Sequence, residues 1–401
     1  MKEILKDYYL DLDKTSASGS GKVAWCSSVG PAELLRSFGL KVYFPENHSA
    51  MIGASRFASD MIPLANSSGY SPDICSYLTS DIGSFLSSFT PLTKSYGIET
   101  VPKPDMLVYN TNQCRDVQDW FRFYSKYYKV PLLGIHSPAH VPEVTDAEVT
   151  NVSSQMQAMA DDLSKITDQS FDMNRLKQSV AYSSEATLLW KDFLQSAQNV
   201  PSPITFFDAS IHMAPIVVLR GDQIAVEYYK RLKEEIQNRI KDGVGAVDNE
   251  TVRLYWEGMP VWGKLRSLSD LFVENQTAIV ASTYCNSWVF DSFNANDPFN
   301  SMARAYTELF INREDQYKQD YLKSMAKDFK IDGIIYHDCK TCPNNSNNRY
   351  RLPQRLQEET GIPYVVINGD VNDLRLFSEE QSHNVIEAFV EQISVQKEIA
   401  M

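Results

Sequence analysis

Strands alternating with helices in two separate stretches predict an α/β protein with two Rossmann-like (flavodoxin-like) lobes, each holding a parallel sheet. Three observations carry this expectation. Short apolar runs alternate with helical spacing up to Ile135, the same alternation returns after Val247, and the interval between is rich in helical periodicity alone. The expected division is residues 1–145 for the first lobe, 146–246 for a helical connector or cap, and 247–401 for the second lobe. A site built in such a chain belongs beyond the carboxyl ends of the strands, between the lobes.

Taken in order, Lys22–Trp25 is an apolar run ending at Cys26, and a Ser-Ser-Val-Gly-Pro turn leads into helical spacing from Ala32. Leu40–Phe44 is the next strand. Ser71-Pro72-Asp73 has the chemistry of a helix entry, which sets Cys75 near the first turn of a helix over Ile74–Leu86. Met106–Tyr109 is a buried-type strand and Asn110–Gln113 a polar turn, with Cys114 at the mouth of an aromatic helix, Arg115–Tyr128. Val130–Ile135 closes the first lobe. The middle interval predicts helices over Thr145–Ile166, Met173–Ala197 and Gln223–Lys241, the first with the Thr145 and Glu148 of a capping box. Strands return at Val252–Trp256, Ala278–Ser282, Gly333–His337 and Tyr364–Asn368, with helices over Val261–Val273, Arg313–Phe329 and Glu379–Glu398.

Composition narrows the function classes. The 401 residues are 43% hydrophobic and 22% charged, which fits a globular protein with a full core. Lys and Arg total 38 against 51 Asp and Glu, a net charge of -13, so neither a nucleic-acid binder nor an anionic-membrane binder is expected. Met1 to Lys14 lacks the basic flank and apolar block of a signal peptide, and a cytoplasmic location is the expectation.

Six cysteines are too sparse for a secreted disulfide framework, and their positions are more informative than their number. Cys26, Cys114, Cys285 and the Cys339–Cys342 pair each follow a predicted strand, and Cys75 lies near a helix start. All six are therefore expected in loops or helix mouths, where thiolates from distant segments can gather around an iron–sulfur cluster. The spacing Cys339-Lys340-Thr341-Cys342 is the single C-x2-C knuckle, so a zinc site, which needs two, is disfavoured.

Ordered stretches along nearly the whole chain carry a resemblance. They are Gly69-Tyr70-Ser71-Pro72-Asp73-Ile74-Cys75-Ser76-Tyr77 and Asn112-Gln113-Cys114, then Trp256-Glu257-Gly258-Met259-Pro260, Lys340-Thr341-Cys342 and Gly369-Asp370-Val371-Asn372-Asp373. Together they resemble the 2-hydroxyacyl-CoA dehydratase and benzoyl-CoA reductase subunit superfamily. That resemblance implies a [4Fe–4S] cluster on Cys75, Cys114 and Cys342. The additional Cys26, Cys285 and Cys339, with Pro45-Glu46-Asn47-His48 and Ser282-Thr283-Tyr284-Cys285, look like the double-cubane-cluster branch. There an [8Fe–9S] cluster sits on six cysteines, matching the count in this chain.

The resemblance further implies a homodimer whose cluster lies between the lobes. It also implies low-potential electrons from a separate ATP-hydrolysing [4Fe–4S] activator, and reduction of small molecules. The chain has no G-x-x-x-x-G-K-[ST] loop of its own, in keeping with nucleotide bound by that partner. His48, His337 and Glu46 are the candidate proton donors. The alternative is a dehydratase or aryl-CoA reductase subunit with a single [4Fe–4S] cluster. A cluster storage or scaffold protein without catalysis is a further expectation to be weighed.

Overall fold

A computed structural model describes residues 1–400. The first sheet comprises β1 (Val23–Cys26), β2 (Lys41–Tyr43), β3 (Met106–Asn110) and β4 (Leu132–Ile135), in the order β2-β1-β3-β4. The second comprises β5 (Val252–Glu257), β6 (Thr277–Ser282), β7 (Gly333–Cys339) and β8 (Tyr364–Gly369), in the order β6-β5-β7-β8. All pairings are parallel, so one topology occurs twice. In each sheet the strand order reverses beside the first strand, which opens a crevice at the carboxyl ends of β1 and β3 and of β5 and β7. Every residue of β1, β3, β5 and β6 is buried, which is why these strands read as mainly apolar runs rather than alternating ones, with Arg253 and Glu257 of β5 the charged exceptions.

The interval between the sheets is helical. Thr145 and Glu148 close the expected capping box at the head of helix Asp146–Thr167, and Asp172 and Asp222 cap helices Met173–Gln195 and Gln223–Lys241. Met173–Gln195 packs on Ala32–Ser37 of the first lobe and on Pro298–Thr307 of the second. One hydrophobic cluster accordingly runs through both lobes and the helices between them. Burial is non-directional, and orientation comes from a buried polar knot. Arg220, from the helical interval, donates to Glu33 at 3.1 Å, to the Tyr306 hydroxyl at 2.9 Å and to the Gly30 carbonyl at 3.0 Å. Tyr306 and Ser183 also donate to Glu33, each at 2.5 Å. Arg220 and Glu33 are fully buried, and removing one member of such a pair costs roughly 3–5 kcal/mol.

Several helices were not expected from periodicity: Lys2–Ser18, Pro45–Ala54, Ala58–Ser67, Phe206–His212, Ala214–Val218 and Pro298–Thr307. Pro45–Ala54 shows why, since its buried residues include Glu46, His48, Ser49 and Gly53 and it presents no apolar stripe. It approaches the second lobe so closely that a Cβ on Gly53 would collide with the Asn372 Oδ1. The cysteines also depart from the expectation. Cys26 and Cys339 are the last residues of β1 and β7, and Cys285 lies inside the short helix Thr283–Asn286, so three of the six stand within regular elements.

Glu257 ends β5 fully buried, accepting from the Asn347 amide at 2.5 Å and from the Thr283 hydroxyl. Burial pushes its carboxyl up from 4.5 to about 7. The folded protein therefore keeps a proton that the unfolded chain releases above its ordinary carboxylate range. The contribution of this group to stability is fully present at acidic pH and is lost, at no more than about 1.4 kcal/mol per pH unit, as pH rises to about 7. Glu257→Gln cannot ionise, and thermal unfolding followed across that range should show a shallower decline than in the parent protein.

Candidate functional site

A cavity of about 390 Å³ lies between the lobes. Ser28, Glu46, Cys75, Tyr77, Cys114 and Asp116 reach it from the first lobe, and Met259, Trp262, Tyr284, Cys342 and Asn345 from the second. Three cysteines face it in the same local setting. Cys75 immediately precedes helix Ser76–Leu86, Cys114 stands two residues before helix Asp116–Tyr128, and Cys342 precedes the 3-10 turn Pro343–Asn345. The N–H three residues on, from Leu78, Val117 and Asn345 respectively, favours each thiolate without closing a side-chain helix cap at Cys75 or Cys342. Cys75 also donates its own N–H to Asp116 at 3.1 Å, tying two of the turns together.

Burial raises all three thiols, Cys114 and Cys342 to about 12 and Cys75 well above the ordinary thiol value. The sulfurs are close enough to disfavour one another's charge, for Cys114 and Cys342 both push Cys75 upward and Cys342 pushes Cys114. Three mutually repelling thiolates in a largely apolar cavity need a shared cationic partner. Among the described residues no three His, Cys, Asp or Glu side chains are gathered for one metal ion. Three thiols from separate turns of both lobes line one cavity, the donor set that a multi-iron core takes, so the residues present fit a cluster.

The other three cysteines are not brought to this cavity. Cys75, Cys114 and Cys342 are half-buried, whereas Cys26, Cys285 and Cys339 are buried. Cys26 packs at the end of β1, where a Cβ on Gly30 would lie 2.7 Å from its sulfur. The Cys285 sulfur lies 3.9 Å from the Ser210 hydroxyl, and Cys339 approaches Asp370 at 3.7 Å. The strands run on into Cys26 and Cys339, fixing their side chains in the walls rather than in the loops beyond. Cys339 is the nearest to the cavity group, with Cys342 and Cys75 both raising its thiol.

Of the three candidate proton donors, only Glu46 lines the cavity. Its Oε2 accepts the Ser28 N–H at 2.5 Å, and burial pushes its carboxyl up to about 7. His48 is buried with Nδ1 at 2.8 Å from Asp81 and Nε2 at 2.9 Å from Thr90, so both ring nitrogens are engaged away from the cavity. His337 bonds the Met259 carbonyl through Nδ1 at 2.6 Å, and burial lowers its pKa. Both histidines sit behind the wall because their elements, helix Pro45–Ala54 and β7, turn them inward.

Asp370, just past β8, organises the site from behind. Its carboxylate accepts from Thr341 N at 2.9 Å and Thr341 Oγ1 at 2.6 Å, beside Cys342, and from the Ser76 hydroxyl, beside Cys75. Asn372 Nδ2 extends the join, donating to Ser49 O and Ser80 Oγ, both at 2.9 Å. The aspartate also accepts from the backbone N–H groups of Asn372 and Asp373, closing its own turn, but its bridging of the lobes leaves no local sequence signal. Tyr77, Trp262 and Tyr284 likewise meet in the cavity wall from both lobes, with Trp262 donating to the Tyr77 hydroxyl.

Comparison with known proteins shows the family to which the chain belongs. Residues 27–393 match the family described as 2-hydroxyglutaryl-CoA dehydratase, D-component. The chain is 30% identical to the (R)-2-hydroxyisocaproyl-CoA dehydratase alpha subunit of Clostridioides difficile, over 100% of this chain and 96% of that one. It is 29% identical to the lactoyl-CoA dehydratase subunit alpha of Anaerotignum propionicum, over 95% and 93%. With a benzoyl-CoA reductase subunit from Thauera aromatica it shares 27% identity over 98% and 93%.

Asp370→Asn would set an amide donor against backbone and hydroxyl donors on both lobes. It should cost roughly 2–4 kcal/mol in chemical denaturation. It should also quicken alkylation of Cys75 and Cys342 in the native protein, measured by mass spectrometry, because the turns carrying both thiols lose their common acceptor.

Proposed function

Because the chain belongs to the 2-hydroxyglutaryl-CoA dehydratase D-component family, we propose that it is the cluster-bearing subunit of an acyl-CoA dehydratase or reductase. One [4Fe–4S] cluster is held by Cys75, Cys114 and Cys342. The observation that carries this reading is that these three of the six cysteines, from both lobes, line one cavity. When bound, the cluster supplies low-potential single-electron chemistry and an iron open to substrate oxygen. The chain's own residues do the rest. The three cysteines hold the core, and the Tyr77–Trp262–Tyr284 wall keeps water from it. Glu46 carries a proton at the carboxyl oxygen that the Ser28 N–H does not engage, and its pKa of about 7 suits delivery to a departing hydroxyl near neutral pH.

The electrons come from a separate ATP-hydrolysing iron–sulfur protein, and an unlike subunit completes the enzyme. The subunit designations of the relatives support that assembly. Among the described residues no helix is long and apolar enough to cross a membrane.

One observation favours a second reading, the homodimeric [8Fe–9S] double-cubane protein: Cys339 is near enough to Cys342 and Cys75 to feel both charges. Cys26 and Cys285, buried and outside the cavity lining, weigh against it.

Iron and acid-labile sulfide analysis on anaerobically purified protein separates the two. About four irons per chain are expected. Cys75→Ser, Cys114→Ser or Cys342→Ser should lose them, and Cys285→Ser should leave the electron paramagnetic resonance signal unchanged. About twice that iron, fragmented in Cys285→Ser, would favour the double cubane instead.

Glu46→Gln should retain the parent iron content but lower kcat by about 100-fold or more. It should also abolish the decline in rate as pH rises through about 7. An unaltered pH–rate profile would remove Glu46 from proton delivery.

A further inference from the structure

Part of the cavity lining lies apart from the cysteine turns and is apolar. Ile211, Met213 and Val217 come from the helical interval, and Trp288, Leu309 and Ile311 from the stretch after β6. The charge pattern of the whole lining is one-sided. Among the described residues Glu46 and Asp116 are its only carboxylates, and no lysine, arginine or histidine lines it.

On the acyl-CoA reading above, we propose that this site accepts an uncharged, apolar acyl group, branched aliphatic or aryl. An acyl group ending in a second carboxylate is rejected. The apolar side chain of such a substrate exchanges water for Val217, Leu309, Ile311 and the Trp288 ring, which favours binding. A terminal carboxylate would lose its hydration without gaining a basic partner, and would share the cavity with the Asp116 carboxylate. At about 390 Å³ the cavity is near the lower end of ligand pockets, about 300–1,000 Å³, so the nucleotide portion of the thioester remains outside. This assigns the chain a preference opposite to the dicarboxylic acyl group in its family's description.

The test is equilibrium binding to the full chain, purified anaerobically with its cluster, using quenching of tryptophan fluorescence as the readout. Trp120, Trp262 and Trp288 all line the cavity. The probes are 2-hydroxyisocaproyl-CoA and 2-hydroxyglutaryl-CoA, with no activator or ATP present, so binding is read without turnover. The first should bind tighter by about 100-fold or more. Ile211 is 53% exposed, so Ile211→Arg is compatible with the fold. Supplying the missing cation there should narrow the gap by about tenfold or more. Equal affinities, or tighter binding of the glutaryl ester, would overturn the proposed preference while leaving the acyl-CoA reading intact. If neither ester quenches fluorescence in cluster-loaded protein, the acyl-CoA reading itself falls, and the preference with it.

Discussion

The buried carboxylate of Asp370 is the constraint on which the site depends. It belongs to the second lobe, yet it accepts from Ser76 of the first lobe as well as from Thr341 of its own. Those two donors are the immediate neighbours of Cys75 and Cys342, so a single acceptor fixes the relative position of thiols from opposite lobes. Asn372 and the close approach at Gly53 hold the same loop against the first lobe. A second knot, Arg220 with Glu33 and Tyr306, does the equivalent work for the helical interval. Hydrophobic burial supplies most of the driving force but does not choose an angle between lobes. These buried, hydrogen-bonded polar groups do, because leaving any of their donors unmet is expensive.

The duplicated sheet order explains where the sulfurs emerge. Cys114 follows β3 and Cys342 follows β7, the corresponding third strands of two sheets with one topology. Each loop opens at the reversal in strand order, and the two crevices face each other across the cavity. Cys75 enters from the helical excursion between β2 and β3, held to Cys114's turn through Asp116. A cysteine one step earlier, at the end of a strand, has no such freedom. Cys339 lies three residues before Cys342, yet β7 directs it into the wall and the loop directs Cys342 into the cavity.

Much of the scaffold was legible before any coordinates. All eight strands lie where largely apolar runs stand, and the signal is clearest in β1, β3 and β6, whose residues are buried throughout. The capping chemistry at Thr145 marked its helix start to the residue. Helix Pro45–Ala54 was illegible because it is enclosed on all sides and its polar residues are satisfied by distant partners, such as Asp81 and Thr90 for His48. The same cause misled expectation about His48 and His337, since a histidine at a strand end or near a turn reads as accessible until its partners are known. The family resemblance singles out Cys75, Cys114 and Cys342, but the strand pattern alone gives no ranking of the six cysteines. The ranking turns on whether a strand stops one residue before a sulfur or includes it, and strand ends are set by tertiary pairing. Glu46 was visible, but its near-neutral acidity comes from enclosure by segments far away in the chain.

The central claim is that three sulfurs from two lobes share one inorganic core while three others remain in the walls. Anomalous scattering at the iron edge, from crystals grown without oxygen, addresses it directly. A single compact iron peak in the interlobe cavity, bonded to Cys75, Cys114 and Cys342, is the expected result. Iron density extending to Cys26, Cys285 or Cys339 would contradict it.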